Sequence, residues 1–394
     1  MATSSPNFDE KINRIGTHSL KWDMLESFYG MKPEESLSMW VADMDFRPPQ
    51  CVNDALQGAV DHGIHGYFGD EDAHHQAIIH WMQTRHNWAV QPDWISTVHG
   101  LVQGTALCVQ AFTQPNDGVI LFTPVYHAFA KIIKANNRQV IESPLELSAG
   151  RYQMNLDKLA SELSGNEKMM ILCSPHNPGG RVWSVDELQQ VAAFCKTHKL
   201  TLVSDEIHHD LVYASAAHTV MANAAPEIAS QLVMLSATTK SFNIAGGLTG
   251  NVIIQDDALR ARFQATHAAS GTSPNRYGVL MATAAYQNGA TWLDQLTSYL
   301  DTNRLLFDEA LSTIDGLESM PMDATYLAWV NFEKTGLSTQ EVIKRVEKEA
   351  RIATNHGAMF GKGGEGYLRF NFACQREVVE QAAQRLQQVF GQLR

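Results

Sequence analysis

Cysteine is scarce in this chain and poorly placed for cross-linking. Cys51, Cys108, Cys173, Cys195 and Cys374 are odd in number and scattered, with no Cys-x-x-Cys spacing. That excludes a disulfide framework and a zinc knuckle, and a reducing cytoplasm is expected. Long apolar runs are also missing. No stretch reaches the roughly 18 apolar residues of a membrane span, and the opening MATSSPNFDEKINR lacks the apolar core of a signal peptide. Positive charge is in deficit, with 30 Lys and Arg against 42 Asp and Glu and a net charge of -12. This argues against sequence-independent binding to nucleic acid or to an anionic membrane, and leaves a small-molecule substrate as the better fit. There is no Pro/Gly/Ser-rich tract and no repeat at a solenoid period, so the domains should share elements rather than hang on linkers.

What is present is globular in composition, 44% hydrophobic and 18% charged over 394 residues. That length predicts a large domain with a smaller companion. Short apolar runs recur at 118–122 (GVILF), 169–173 (MMILC), 200–204 (LTLVS), 232–236 (LVMLS) and 251–254 (NVII), separated by helix-like stretches. This rhythm predicts an α/β domain with a mostly parallel sheet covered by helices. Ser184-Val-Asp-Glu187 reads as a capping box opening one of those helices. Beyond about residue 285 the texture changes to a long amphipathic stretch, the runs YLAWVNF and GYLRFNF, a second capping box at Ser338–Glu341 and a final helix, as in an α+β unit. The expected division is an N-terminal arm over 1–48, a large domain over 49–285 and a small domain over 286–394.

In a doubly wound sheet, ligands sit beyond the carboxyl ends of the strands, so residues just after the apolar runs are the candidates. Lys240, in Ser236-Ala-Thr-Thr-Lys240-Ser-Phe-Asn243, stands there among hydroxyls. An amine so placed can be kept near a phosphate and made to lose its proton. Asp205 closes the strand LTLVSD, where a carboxylate can keep a pyridinium nitrogen protonated; His208 follows three residues later. Asn177 lies in the tight loop Ser174-Pro-His-Asn177-Pro-Gly-Gly. His99-Gly100-Leu101-Val102 opens a helix whose bare amides suit a phosphate. Tyr126 follows GVILF and offers a ring to stack on a flat heterocycle. Arg369 interrupts the alternation of GYLRFNF, where a charge requires a partner: a structural carboxylate or that of an amino-acid substrate. The 16 histidines include the pairs His62/His65, His74/His75 and His208/His209, none with a carboxylate-backed His-x-x-x-His spacing, and no metal site is expected.

These segments together, SPHNPGGRVW, VSDEIHHDLVY, SATTKSFN and YLRFNF, strongly resemble the fold-type I aminotransferase superfamily of pyridoxal-phosphate enzymes. Met39-Trp40-Val-Ala-Asp43-Met-Asp-Phe46, His62-Gly-Ile-His-Gly66-Tyr67 and GAMFGKGGEGYLRFNFAC resemble its MalY/PatB-like C–S β-lyase branch. The resemblance implies that Lys240 carries pyridoxal 5′-phosphate as a Schiff base and acts as the base, with Tyr126 stacked on the ring and counted as catalytic. Asp205 would face the pyridine nitrogen, and Asn177 and His208 the phenolic oxygen. Gly100, Leu101, Val102 and Thr239 would hold the phosphate, with Tyr67 reaching in from a second subunit of a homodimer. Arg369, beside Asn177, Ala42 and Tyr67, would hold the substrate. The activity implied is β-elimination from an S-substituted cysteine, such as cystathionine, a cysteine conjugate or its sulfoxide. An aminotransferase on the same scaffold, or a MalY-like regulator that binds a transcription factor, are the alternative readings. The segment Ile244–Gly250 lacks the phosphate-binding arginine that many aminotransferases place after the lysine, in agreement with the lyase branch, and Ala237 stands where relatives often carry a hydroxyl, which leaves the phosphate contacts of that loop open.

Overall fold

Seven strands carry the larger half of the chain: β1 (Ile95–Val98), β2 (Gly118–Thr123), β3 (Gln139–Pro144), β4 (Glu167–Cys173), β5 (Thr201–Asp205), β6 (Leu232–Ser236) and β7 (Gly250–Ile253). The computed structural model describes residues 6–391. The sheet order is β1-β7-β6-β5-β4-β2-β3. All neighbours are parallel except β7, which runs against both β1 and β6. The apolar runs are continuous because both faces of the sheet are covered. Alternate residues divide between two cores, as a period of two requires. Ile120, Phe122, Met170, Leu172, Leu202 and Met234 join one core with helix Val185–His198. Val119, Leu121, Met169, Ile171, Val203 and Val233 join the other with helix Leu101–Phe112.

The predicted runs appear as strands, with two adjustments. The segment NVII forms the antiparallel strand β7, and the sheet gains β1 and β3 at its edges, where half-exposed sequences such as QVIESP carry no strong apolar signal. The box at Ser184 forms in full, its hydroxyl accepting from the Glu187 N–H and the Glu187 carboxylate reaching back. At Ser338 only the forward half is seen, the Glu341 N–H reaching the hydroxyl, while the Glu341 carboxylate takes the Arg345 guanidinium instead.

A second sheet holds β8 (Glu318–Ser319), β9 (Leu327–Asn331), β10 (Asn355–His356) and β11 (Tyr367–Asn371) in the order β8-β9-β11-β10. Its register sets Arg369 between Trp329 and Asn355. Helices Ala290–Ser312 and Arg376–Phe390 pack together behind it. Upstream, Leu37–Ser38 pairs in parallel with Ile352–Ala353. Buried charges fix the residues around that strand: Lys21, fully buried, donates to Asp45 (2.8 Å) and to the Asp43 carbonyl (3.1 Å), and Arg14 bridges the same two aspartates. The segment 40–46 is thereby held across the carboxyl ends of the main strands.

Candidate active site

The carboxyl ends of β4, β5 and β6 lie level, Cys173 beside Asp205 and Asp205 beside Leu235. Because β1 is parallel to them, His99 and Gly100 emerge at the same edge. A cavity of about 380 Å³ opens there, a size that suits a small-molecule site. Gly100, Leu101, Val102, Tyr126, Asn177, Asp205, His208, Thr239, Lys240, Arg369 and Ala42, all singled out from the sequence, line it. Tyr67 does not: its side chain is fully exposed on its own chain.

Lys240 sits in the single turn Thr238–Ser241 directly after β6, and its Nζ donates to the Ala42 carbonyl. Burial pulls its ammonium down to about 8, with Arg369 adding to the effect and Asp43 and Asp205 opposing it. Asp205 is buried, and its Oδ1 accepts from the Ile207 N–H at 3.1 Å. Burial, reinforced by Glu206 and opposed by Lys240, pushes its carboxyl up to about 7. His208 arrives on a turn rather than a helix; its Nδ1 is buried with no partner among the described residues. Burial first, then Lys240 and Arg369, keep that imidazole neutral.

Arg369 is an interior residue of β11 yet has no carboxylate partner among the described residues. Its Nη1 donates to Asn177 Oδ1 (2.9 Å) and its Nη2 to Asn355 Oδ1 (2.5 Å) and the Trp40 carbonyl (3.1 Å), while Nε is unpaired. The guanidinium lies 5.0 Å over the Phe360 ring, and burial lowers it to about 10. A structural ion pair is therefore not what retains this charge. A buried cation held by neutral groups and facing a cavity is arranged to receive an anion.

Gly100 adopts φ 80°, and a Cβ built there meets nothing within 4 Å. The twelve-residue helix that follows it presents its first N–H groups to open space. Tyr126 is half-buried, edge-on to Phe129 at 5.5 Å. Sequence reasoning missed Tyr326, whose hydroxyl donates to the same Ala42 carbonyl that Lys240 reaches (2.9 Å), and Asn355. Neither carries a local signal, since each matters through a partner far along the chain. Beneath Lys240, the adjoining Ser241 donates to Asp210 (2.6 Å), which also accepts from Trp81 and His86. His209 joins this buried group with its ring 4.1 Å from that of His86, a grouping of possible metal ligands that the sequence pairs did not reveal.

A mostly parallel sheet with a lysine, an aspartate and an arginine converging on one cavity defines a class, and the chain belongs to it: the aminotransferase class I and II family matches residues 37–386. It is a pyridoxal-phosphate-dependent enzyme. More particularly, it is 38% identical over 383 residues to cystathionine beta-lyase PatB of Bacillus subtilis, covering 96% of this chain and 98% of that one. The structure of cystalysin from Treponema denticola, which contains a pyridoxal 5′-phosphate cofactor, superposes with a TM-score of 0.94 at 32% identity, over 99% of this chain and 100% of that one. The pyridoxal-phosphate-bound C–S lyase of Staphylococcus hominis gives 0.91 at 29%, over 98% and 99%. The residues fit the cofactor. Asp205 is a buried carboxyl short of a cation, His208 offers an unpaired buried nitrogen, and the helix start at Gly100 is an open cradle for a phosphate.

Proposed function

We propose that this chain is a carbon–sulfur β-lyase that releases pyruvate, ammonia and a sulfur product from an S-substituted cysteine. The observation that carries the reading is Arg369, a buried guanidinium without a carboxylate, facing the same cavity as a lysine whose ammonium burial has lowered to about 8. The relatives named for C–S lyase chemistry support the choice of reaction.

Pyridoxal phosphate, when bound, supplies an electron sink for the pair left at Cα after proton loss. Lys240 would hold its aldehyde end, Asp205 its ring nitrogen, and Asn177 and His208 its phenolic side. Tyr126 would stack on the ring, and the amides after Gly100, with Thr239, would hold the phosphate. Arg369 binds the substrate carboxylate and so fixes which Cα bond faces Lys240. The Lys240 amine, whose ammonium burial and Arg369 make easier to deprotonate, takes the Cα proton. The Ala42 carbonyl orients that amine, and the Tyr326 hydroxyl orients Ala42. The C–H pair becomes the Cα–Cβ double bond, the Cβ–S bond breaks with its pair on sulfur, and sulfur takes up a proton. Water uptake then converts the three-carbon fragment to pyruvate and ammonia.

The working unit in this reading is a homodimer. Val60, Ile64 and Tyr67 are exposed on helix Gln50–His62 and the segment after it, the kind of apolar grouping that a partner covers. Tyr67 would then complete the neighbouring site. The arm, large-domain and small-domain division at residues 48 and 285 belongs to the same proposal, as does a cytoplasmic location, with which five free cysteines agree. No described helix is long and apolar enough to cross a membrane.

The test is incubation of the holoenzyme with a cysteine S-conjugate and no keto-acid acceptor, with pyruvate and free thiol measured. Stoichiometric release of both is expected, and Lys240→Ala should abolish it together with the absorption band of the lysine-bound cofactor. Turnover only after adding a keto acid would make the chain an aminotransferase instead.

A further inference from the structure

The three charged side chains that line the cavity, Asp205, Lys240 and Arg369, are all claimed by the cofactor or by the substrate's own carboxylate. The remaining polar lining is also largely committed. Asn177 and Asn355 accept from Arg369, the Trp40 indole donates to the Lys21 carbonyl, and His99 is bonded to the Ser273 carbonyl. His127 is a polar side chain of this lining that is claimed neither by the cofactor nor by Arg369. The His127 imidazole lines the cavity with no hydrogen bond to any described residue, and its Nδ1 is buried without a partner. Its ring is held rather than loose: it stands perpendicular to Phe360 at 5.8 Å and edge-on to Tyr126 at 5.1 Å. The same cavity is also lined by the apolar side chains of Leu20, Val41 and Met359.

Resting on the lyase reading, we propose that His127 is a specificity-determining residue that selects an uncharged, oxygen-bearing substituent on sulfur: the substrate class is an S-alkylcysteine sulfoxide rather than cystathionine. Burial and the nearby Arg369 and Lys131 hold the imidazole below its ordinary value, so near neutral pH it has one N–H to donate and repels no cation. A sulfoxide oxygen is a strong acceptor and a thioether sulfur a weak one. A buried donor that finds its acceptor gains a hydrogen bond, whereas one covered by an alkyl group loses its water for nothing. Cystathionine would bring an ammonium and a second carboxylate into a cavity whose lining has no further charged side chain to meet them, which is costly where the surround is apolar.

The experiment measures kcat/KM for pyruvate release by the holoenzyme from S-methylcysteine sulfoxide, S-methylcysteine and cystathionine, in the wild type, His127→Phe and His127→Gln. Phenylalanine keeps the ring packing and removes the donor; glutamine returns an amide donor. The sulfoxide-to-thioether ratio is expected to fall about tenfold in His127→Phe, chiefly through KM, and to recover in large part in His127→Gln. Because both substrates are read on one protein, a general folding or loading defect cancels from the ratio. Wild-type kcat/KM for cystathionine should lie at least about tenfold below that for the sulfoxide. An unchanged ratio in His127→Phe, or cystathionine as the best of the three, overturns the assignment and leaves the lyase reading intact. No pyruvate from any of them overturns both.

Discussion

Asp205 and Lys240 are displaced from their ordinary protonation in opposite directions by the same cause, burial at the edge of one sheet. For Asp205 the sign has a measurable result. Its folded value, about 7, lies above its unfolded value near 3.9, so in the cofactor-free protein this group costs stability increasingly as pH rises from about 4 to about 7. A gap of about three units sets an upper bound of order 4 kcal/mol. Asp205→Asn should therefore raise the Tm of the apoprotein at pH 8 by a few degrees and leave it unchanged at pH 4, while weakening cofactor binding; scanning calorimetry and cofactor titration check the two halves. Arg369→Ala should raise KM by roughly tenfold to a thousandfold, the usual loss when a charged hydrogen-bonding partner is removed, with a smaller change in kcat. Arg369→Lys should restore little of it, because a point charge cannot reach both Asn177 and Asn355. At this scale the sequence was partly legible. Arg369 betrayed itself by breaking an alternating strand, and Lys240 gained meaning from its order after Asn177 and Asp205. Tyr326, Asn355 and His127 did not, since an ordinary tyrosine, asparagine or histidine becomes informative only when the fold supplies its neighbour.

The strands were legible because burial on both faces writes itself as continuous apolar runs, and the helix at 185 because its cap is written in four residues. The segment 40–46 was not legible as an element, having no regular structure of its own. It is a strap tied on one side by the turn beyond Lys240 and on the other by β11. Asn243 makes three hydrogen bonds to Met44 and Phe46 of between 2.8 and 2.9 Å, and Asn371 donates to the Val41 and Asp43 carbonyls at 2.6 Å. Asn243→Ala should loosen it, raising KM several-fold with the cofactor still bound, and lower stability by about 1 to 3 kcal/mol; steady-state kinetics beside urea denaturation would show both. Ser184→Ala, by contrast, removes only a cap remote from the cavity and should lower stability by about 1 kcal/mol with kcat and KM unmoved, as a shift of the urea midpoint would record.

For the whole molecule, the decisive question is how many chains make a site. If Tyr67 completes the partner's cavity, activity per chain falls on dilution through the dimer dissociation constant, and mass photometry over the same range should show the species of twice the chain mass giving way in step. Tyr67→Phe should weaken cofactor binding about tenfold without dissociating the dimer, as equilibrium dialysis would report. The strap carries one more consequence. Its Trp40 and Val41 carbonyls are tied to Arg369 and Asn371, partners 329 and 330 positions further along. Contacts that distant are made late, after the loop between them has been closed. During synthesis the residues around Ala42 emerge first and must wait for almost the entire chain before their partners exist. The cavity that fixes Lys240 is thus among the last features to form, and a nascent or C-terminally clipped chain has a sheet but no working chemistry.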